Sequence, residues 1–418
     1  MRALRSPAAA PRFALALLAA AAAAAVAGCA APRHPAAPRT AAPPAAATVT
    51  PGTAGPAPPA GSGERLTAIA FVSAADGYGT FTRQAGGRCQ ALAGRTADGG
   101  ARFGALTPLA SWPCGGSAPA ASLAADGHGD VFWYGPGLYA SHDGGQSWTA
   151  ARQPGVVLAV AAIGRSAWLL RADCRRPAGT CSLALAESAD GGRTWAPAPA
   201  GPPGATVRAA GGRPALQVAG QTWLLRTGRS SGYVLSGPAG DDAPMWFTAD
   251  AGTAWSRRQV PCGRIGAVSA TLAAAPGGAL LAVCAGQPGA GFQAKSAARS
   301  ANGGRSWTVH VPCPPPAIVC HRGLPLDFGY LGQAAAVSAR TLFLAGERSS
   351  LLVSTDGGAR WQAVRPLVGD TSGGTSQVIF VSRRDGFVLG NDPRNGELPT
   401  IWRTTDGGVR WSREVTRP

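Results

Sequence analysis

Lysine is almost missing from this chain: Lys295 is the only one, so arginine supplies nearly all of the 38 basic residues. Against 21 acidic residues this leaves a formal net charge of +17. Histidine is sparse at five residues, and its members are scattered along the chain. No Cys-x-x-Cys pair occurs, and on that ground a zinc site of the usual ligand spacing is not expected. Glutamate and tyrosine also number five each, which limits the carboxylate and phenol groups open to catalysis. No stretch has a helical hydrophobic period. The longest apolar run, 13–27, is too short and alanine-rich for a comfortable membrane span. These absences leave an all-β chain without metal or cofactor chemistry as the starting expectation.

What is present is a repeat. Ser/Thr-x-Asp-x-Gly-x-x-Trp occurs intact as Ser141-His-Asp143-Gly-Gly145-Gln-Ser-Trp148, and again with Asp190 and Trp195, Asp356 and Trp361, and Asp406 and Trp411. Three copies are altered: Asp98 is followed by Phe103 for Trp, Asp250 by Ala251 before Trp255, and Asn302 replaces Asp before Trp307. Asp-Gly-Gly offers the positive-φ freedom of a tight turn. The carboxylate and the leading hydroxyl can accept turn amides, and the aromatic ring can fold back between sheets. A period near 50 with one hairpin signal each predicts a seven-bladed β-propeller of four-stranded antiparallel blades, spanning 65–418. Ala68-Ile-Ala-Phe71-Val-Ser73 recurs as Val378-Ile-Phe380-Val-Ser382, each read as an inner strand, so blade 1 is expected at 66–109 and blade 7 at 377–415. The runs 167–170, 222–225 and 341–344 read as second strands. The 60-residue interval after Ser188 has room for a weakly marked extra blade.

The repeat resembles the Asp-box (BNR) motif of sialidases, sortilin-type receptors and photosystem II assembly-factor propellers. The whole of 65–418 resembles the bacterial relatives of the last group. The resemblance implies that the box residues are structural, and that the propeller docks a protein client outside the cytoplasm. A sialidase would bring an Arg-Ile-Pro motif, an arginine triad and a Tyr/Glu pair. No Arg-Ile-Pro stands in 63–95, and nothing marks a Tyr/Glu pair. Gly228-Arg-Ser230-Ser-Gly232 lies in a β turn instead of a strand-to-helix elbow. Ser141-His142-Asp143 are sequence neighbours whose side chains a hairpin points apart.

The N-terminus reads as an export signal over 1–28: Arg2, Arg5 and Arg12, then the apolar run, then Val26-Ala27-Gly28-Cys29. The last four resemble a bacterial lipobox, which implies lipidation of Cys29 and anchoring to the outer face of the plasma membrane. An ordinary secretory signal is the alternative. The Ala/Pro-rich stretch 29–64 is expected to be a disordered tether. Eight further cysteines in an exported chain read as disulfides. Proximity pairs Cys89 with Cys114, Cys174 with Cys181, Cys262 with Cys284, and Cys313 with Cys320.

The expected partners follow from charge and place. They are an envelope protein or an anionic envelope polymer, not nucleic acid, and the protein is expected to be a monomer. The Arg, Ala, Gly and Pro richness is also what a GC-rich genome encodes, with charge serving solubility. Partner-binding candidates are Arg383 and Arg384 beside the inner strand of blade 7, with Trp112, Trp133, Tyr134 and Trp246 near turns. Packing between blades is the competing reading for each aromatic. A non-catalytic docking scaffold is the function expected, with a glycan-active protein (sialidase-like exo-glycosidase or surface lectin) as the alternative.

Overall fold

The computed structural model describes residues 63–414, apart from 115–120, 136, 175–178, 211–212, 215–220, 238–241, 264, 290–292, 311–328, 365–373 and 393–397. The expected leader, Cys29 and most of the expected tether lie outside the described residues. Seven antiparallel sheets follow one another in chain order, and none of the described residues is helical. Their innermost strands are Glu64–Phe71, Ser122–Ala125, Val156–Ile163, Leu224–Arg226, Ser269–Ala274, Tyr330–Ala336 and Thr375–Phe380. Each touches the next around a closed ring, the seventh returning to the first. This is the seven-bladed propeller that the repeat predicted.

The ring closes without strand exchange, because blade 1 and blade 7 are each built from four consecutive strands. Side chains make the seam. Ile69 N–H donates to Gln377 Oε1 at 2.8 Å, and Phe71 stacks on Phe387 with ring centroids 3.6 Å apart. Seven apolar clusters fill the seven blade-to-blade interfaces, one each. A blade interior is therefore covered on both sheet faces, so its strands read as continuous apolar runs without polar alternation.

That double coverage corrects two expectations. Trp133 and Trp246 are 2% and 4% exposed and belong to interblade cores, so neither presents a surface to a partner. Trp112 and Tyr134 are half-buried. The run 222–225 is also reassigned: Leu224–Arg226 is the first strand of blade 4, whereas Ser166–Asp173 and Leu342–Glu347 are second strands as expected. The long interval after Ser188 holds no extra blade. Its residues instead add a Thr206–Ala210 and Arg213–Pro214 hairpin to the outer edge of blade 3.

Three of the four expected disulfides are formed, joining Cys89 to Cys114, Cys174 to Cys181 and Cys262 to Cys284. The fourth expected pairing differs from these. Cys313 and Cys320 both fall within 311–328 and so lie outside the described residues.

All seven boxes fold alike. The leading hydroxyl donates to the Asp or Asn Oδ1 at 2.7–3.0 Å. The same hydroxyl accepts the second glycine's N–H at 2.7–2.9 Å. Oδ1 also accepts the amide four residues on, at 2.9 Å in every copy. Asn302 keeps these acceptor bonds, which is why the Asp-to-Asn change is tolerated. The second glycine never varies because a Cβ there meets the preceding blade: Phe343 at 2.2 Å from Gly408, Phe132 at 2.4 Å from Gly192, Met245 at 2.6 Å from Gly304. The first glycine also sits at positive φ, and Ala251 occupies that place at φ 57°. The ring behind it is buried at Phe103, Trp361 and Trp411 and half-buried at Trp148, Trp195, Trp255 and Trp307.

Candidate functional site

A four-stranded meander puts its first and third turns at one end of the blade and its second turn at the other. All boxes are third turns, so one face of the propeller carries every box together with every first turn. The two turns are tied together: the carbonyls of Ala75, Gly129, Arg165, Ser230, Arg340 and Arg384 each accept an amide from the box of their own blade, at 2.8–3.0 Å. The box face is thereby a rigid platform instead of a set of independent loops.

On this face the axial channel opens into a cavity of about 720 Å³. Its wall includes Ile163 of blade 3, Arg226 of blade 4, Ala274 of blade 5, Ala336 of blade 6 and Phe380 of blade 7, so it reaches across the axis. Four arginines line it: Arg226, Arg258, Arg305 and Arg383. No aspartate or glutamate does, and none of the four lies within ion-pair distance of a described carboxylate.

Two of these guanidinium groups are held by uncharged partners. Arg226, 9% exposed, donates to the Ser166 carbonyl at 2.6 Å, to Ser166 Oγ at 3.1 Å and to the Arg229 carbonyl, and stacks on Trp168. Its Nε has no partner. Burial lowers its pKa to about 10, with Glu187 acting in the opposite direction, so the charge persists at neutral pH. Arg258 donates to the Gly303 carbonyl and lies 4.1 Å from the Phe247 ring centroid. Burial lowers its pKa too, and the nearby Arg305 adds to the effect. Burial raises the Tyr233 phenol, which donates to Gly303 O at 3.2 Å, leaving it neutral. The other two arginines, Arg305 and Arg383, are exposed. Arg384 is turned away from the cavity wall and donates to Thr405 O at 3.3 Å. The mouth is therefore a preformed cationic concavity with aromatic walls from Tyr233, Phe247 and Phe380. It can hold anionic groups, and none of its described lining residues is a carboxylate.

Away from the axis, the box face carries a cluster that sequence reasoning missed. Asp130, 3% exposed, contacts His142 Nδ1 at 2.8 Å and Arg193 at 3.2 Å. His142 thus turns from its sequence neighbours, while Ser141 Oγ bonds Asp143 at 2.8 Å, and no Ser-His-Asp triad forms. The available signal was the register of Asp130-Val-Phe132 with Asp76-Gly-Tyr78 and Asp385-Gly-Phe387. Beside it, Asp126 Oδ1 accepts the amides of His128 and Asp130, and the buried Oδ2 makes no hydrogen bond but lies 3.9 Å from His128 Nδ1. Burial raises the Asp126 pKa. Among the described residues no group of His, Cys, Asp and Glu could hold a metal ion. Gly228-Arg-Ser230-Ser-Gly232 is the turn between the first two strands of blade 4.

No protein-family model matches the chain, and no curated protein matches it in sequence. Solved structures do match in fold. A YCF48 structure with a bound D1 peptide aligns at TM-score 0.50 and 20% identity, covering 82% of this chain and 94% of that one. YCF48 from Cyanidioschyzon merolae aligns at 0.52 and 16%, covering 83% and 97%. A GH74 xyloglucanase from Xanthomonas campestris aligns at 0.51 and 17%, covering 85% of this chain but only 55% of its own. At these identities the likeness is one of fold.

Proposed function

We propose that this protein is a non-catalytic, membrane-anchored extracytoplasmic scaffold that docks an acidic segment of an envelope protein at the box-face mouth of its channel. In this reading residues 1–28 are a lipoprotein signal, Cys29 carries the lipid, 29–64 form the tether and the seven hairpins are Asp-box repeats. Cys313 and Cys320 supply a fourth disulfide in the same reading. The observation that carries the proposal is the set of four arginines lining the cavity with no carboxylate among them. Buried guanidinium groups held by carbonyls keep their charge without a counter-ion, so an anionic partner would complete the site. Three disulfides support an oxidising compartment. The D1 peptide on the YCF48 propeller gives the fold a precedent for holding a protein segment.

The glycan-active alternative asks for carboxylates beside the arginines, and the described wall of the cavity has none. The test is affinity capture of the tagged protein from its own membranes, followed by a salt gradient and a glycoside-turnover assay. One recurrent acid-rich protein that elutes with salt supports the scaffold. Turnover, or capture of polymer alone, overturns it.

A further inference from the structure

The other end of the channel is chemically unlike the first. It forms a cavity of about 440 Å³ whose wall takes residues from all seven blades: Thr67, Ser122, Val157, Leu224, Thr271, Gln333 and Gln377 among them. None of its described lining residues is charged. The single phenol, Tyr134, is held neutral because burial raises its pKa.

Many of these polar side chains are already engaged in holding blades together. Gln221 Oε1 accepts Ala270 N–H at 2.9 Å, Thr222 Oγ1 accepts Leu272 N–H at 3.0 Å, and Gln377 Oε1 accepts Ile69 N–H at 2.8 Å. Those bonds explain why the residues are polar, but they leave capacity over. Gln377 keeps its amide donor. Gln333 is exposed into the cavity and its side chain makes no bond with any described residue. A structural stitch does not account for Gln333.

We infer that this far mouth is a second binding site, for a compact uncharged ligand bearing hydroxyls around its rim, of which a sugar ring is the type. The reasons are geometric and electrostatic. Polar side chains approach from six of the seven blades, only blade 3 giving an apolar wall of Val157, Leu158 and Ala159, which matches a cyclic polyol, whereas an extended peptide presents its polar groups along two edges only. A charged ligand entering here would lose hydration and meet no counter-charge among the described lining residues, an unfavourable exchange. The volume lies within the range of small-molecule sites and suits one or two sugar units. This site is independent of the docking proposed for the arginine mouth.

The test is isothermal calorimetry of the purified propeller with cellotetraose and N-acetylchitotetraose, using tetragalacturonate as the charged control. Saturable one-to-one binding of at least one neutral probe is expected, weakened about tenfold or more by Gln333→Ala, roughly 1.4 kcal/mol. Gln333→Trp, which fills the cavity, should abolish it. Both variants should melt with the parent, since the Gln333 side chain bonds to none of the described residues. Reversing Arg305 and Arg383 should leave the affinity unchanged. The inference fails if neither neutral probe saturates by about 10 mM, if tetragalacturonate binds better, or if binding survives both Gln333 variants.

Discussion

The two axial cavities of this propeller, one at each end, are built from the same inner strands by different rules. At the far mouth the inner strands supply Thr, Ser and Gln, spent largely on interblade bonds, and the wall is neutral. At the box mouth the strands end, and arginines enter from four different positions: a first strand, a fourth strand, a box and a first turn. Chemistry in this fold is placed where the ring's own hydrogen bonding is finished. The residues that close the ring are thereby kept apart from most of those free to bind.

The largest effect should come from breaking the support common to both mouths. Trp411 is fully buried, its Nε1 bonded to Gly408 O at 3.0 Å, so Trp411→Ala should cost about 3–5 kcal/mol in chemical denaturation and weaken binding at both ends. Half-buried Trp148→Ala should cost clearly less; equal costs would break the account of unequal boxes. Next comes Arg305→Glu with Arg383→Glu. The pair should lower client affinity by about tenfold or more, roughly 1.4 kcal/mol, without touching neutral-ligand binding or thermal stability. Ala251→Gly should then stabilise by about 1 kcal/mol, because it relieves a left-handed alanine in a box that is otherwise intact.

Acid should separate the two ends by smaller amounts. Hydrogen bonds hold Asp143 down at about 2 and lower Asp190 and Asp250 as well. Folded pKa values below the unfolded ones give stability that is present above about pH 4 and lost as pH falls through the folded values. Box-face amides should therefore lose hydrogen-exchange protection in acid before those of the far mouth, where no carboxylate lines the wall. Asp126 has the opposite sign. Its raised pKa means that its stabilising contribution is lost as pH rises, so Asp126→Asn should raise the melting temperature at pH 7 and lose that advantage near pH 3.

The fold was legible because its signal is local and repeated: a hydroxyl, an Asp or Asn acceptor and a glycine at fixed spacing within five residues specify the same hairpin seven times. Ring order followed from chain order. The site was far less legible. Arg226 and Arg383 are widely separated in sequence and meet only because the ring closes, so no spacing rule joins them; of the four arginines only Arg383 was singled out. Trp133 and Trp246 misled for a related reason, since turn proximity says nothing about a second sheet packed on the outer surface of the first. The 222–225 run was misplaced because the added hairpin on blade 3 shifts the phase of the repeat there.

The central claim is that the arginine mouth, and not the neutral one, meets the client. Lys295 is the chain's only lysine and is 3% exposed, so amine-directed crosslinkers have nothing to reach on the folded domain. The measurement is therefore site-specific photo-crosslinking in the native envelope, with the photoreactive residue placed at position 383 in one strain and at position 333 in another, read by mass spectrometry. The expected result is one recurrent acid-rich protein crosslinked from 383 and absent from 333. The same protein captured from 333 alone, or no consistent protein from 383, would contradict the claim.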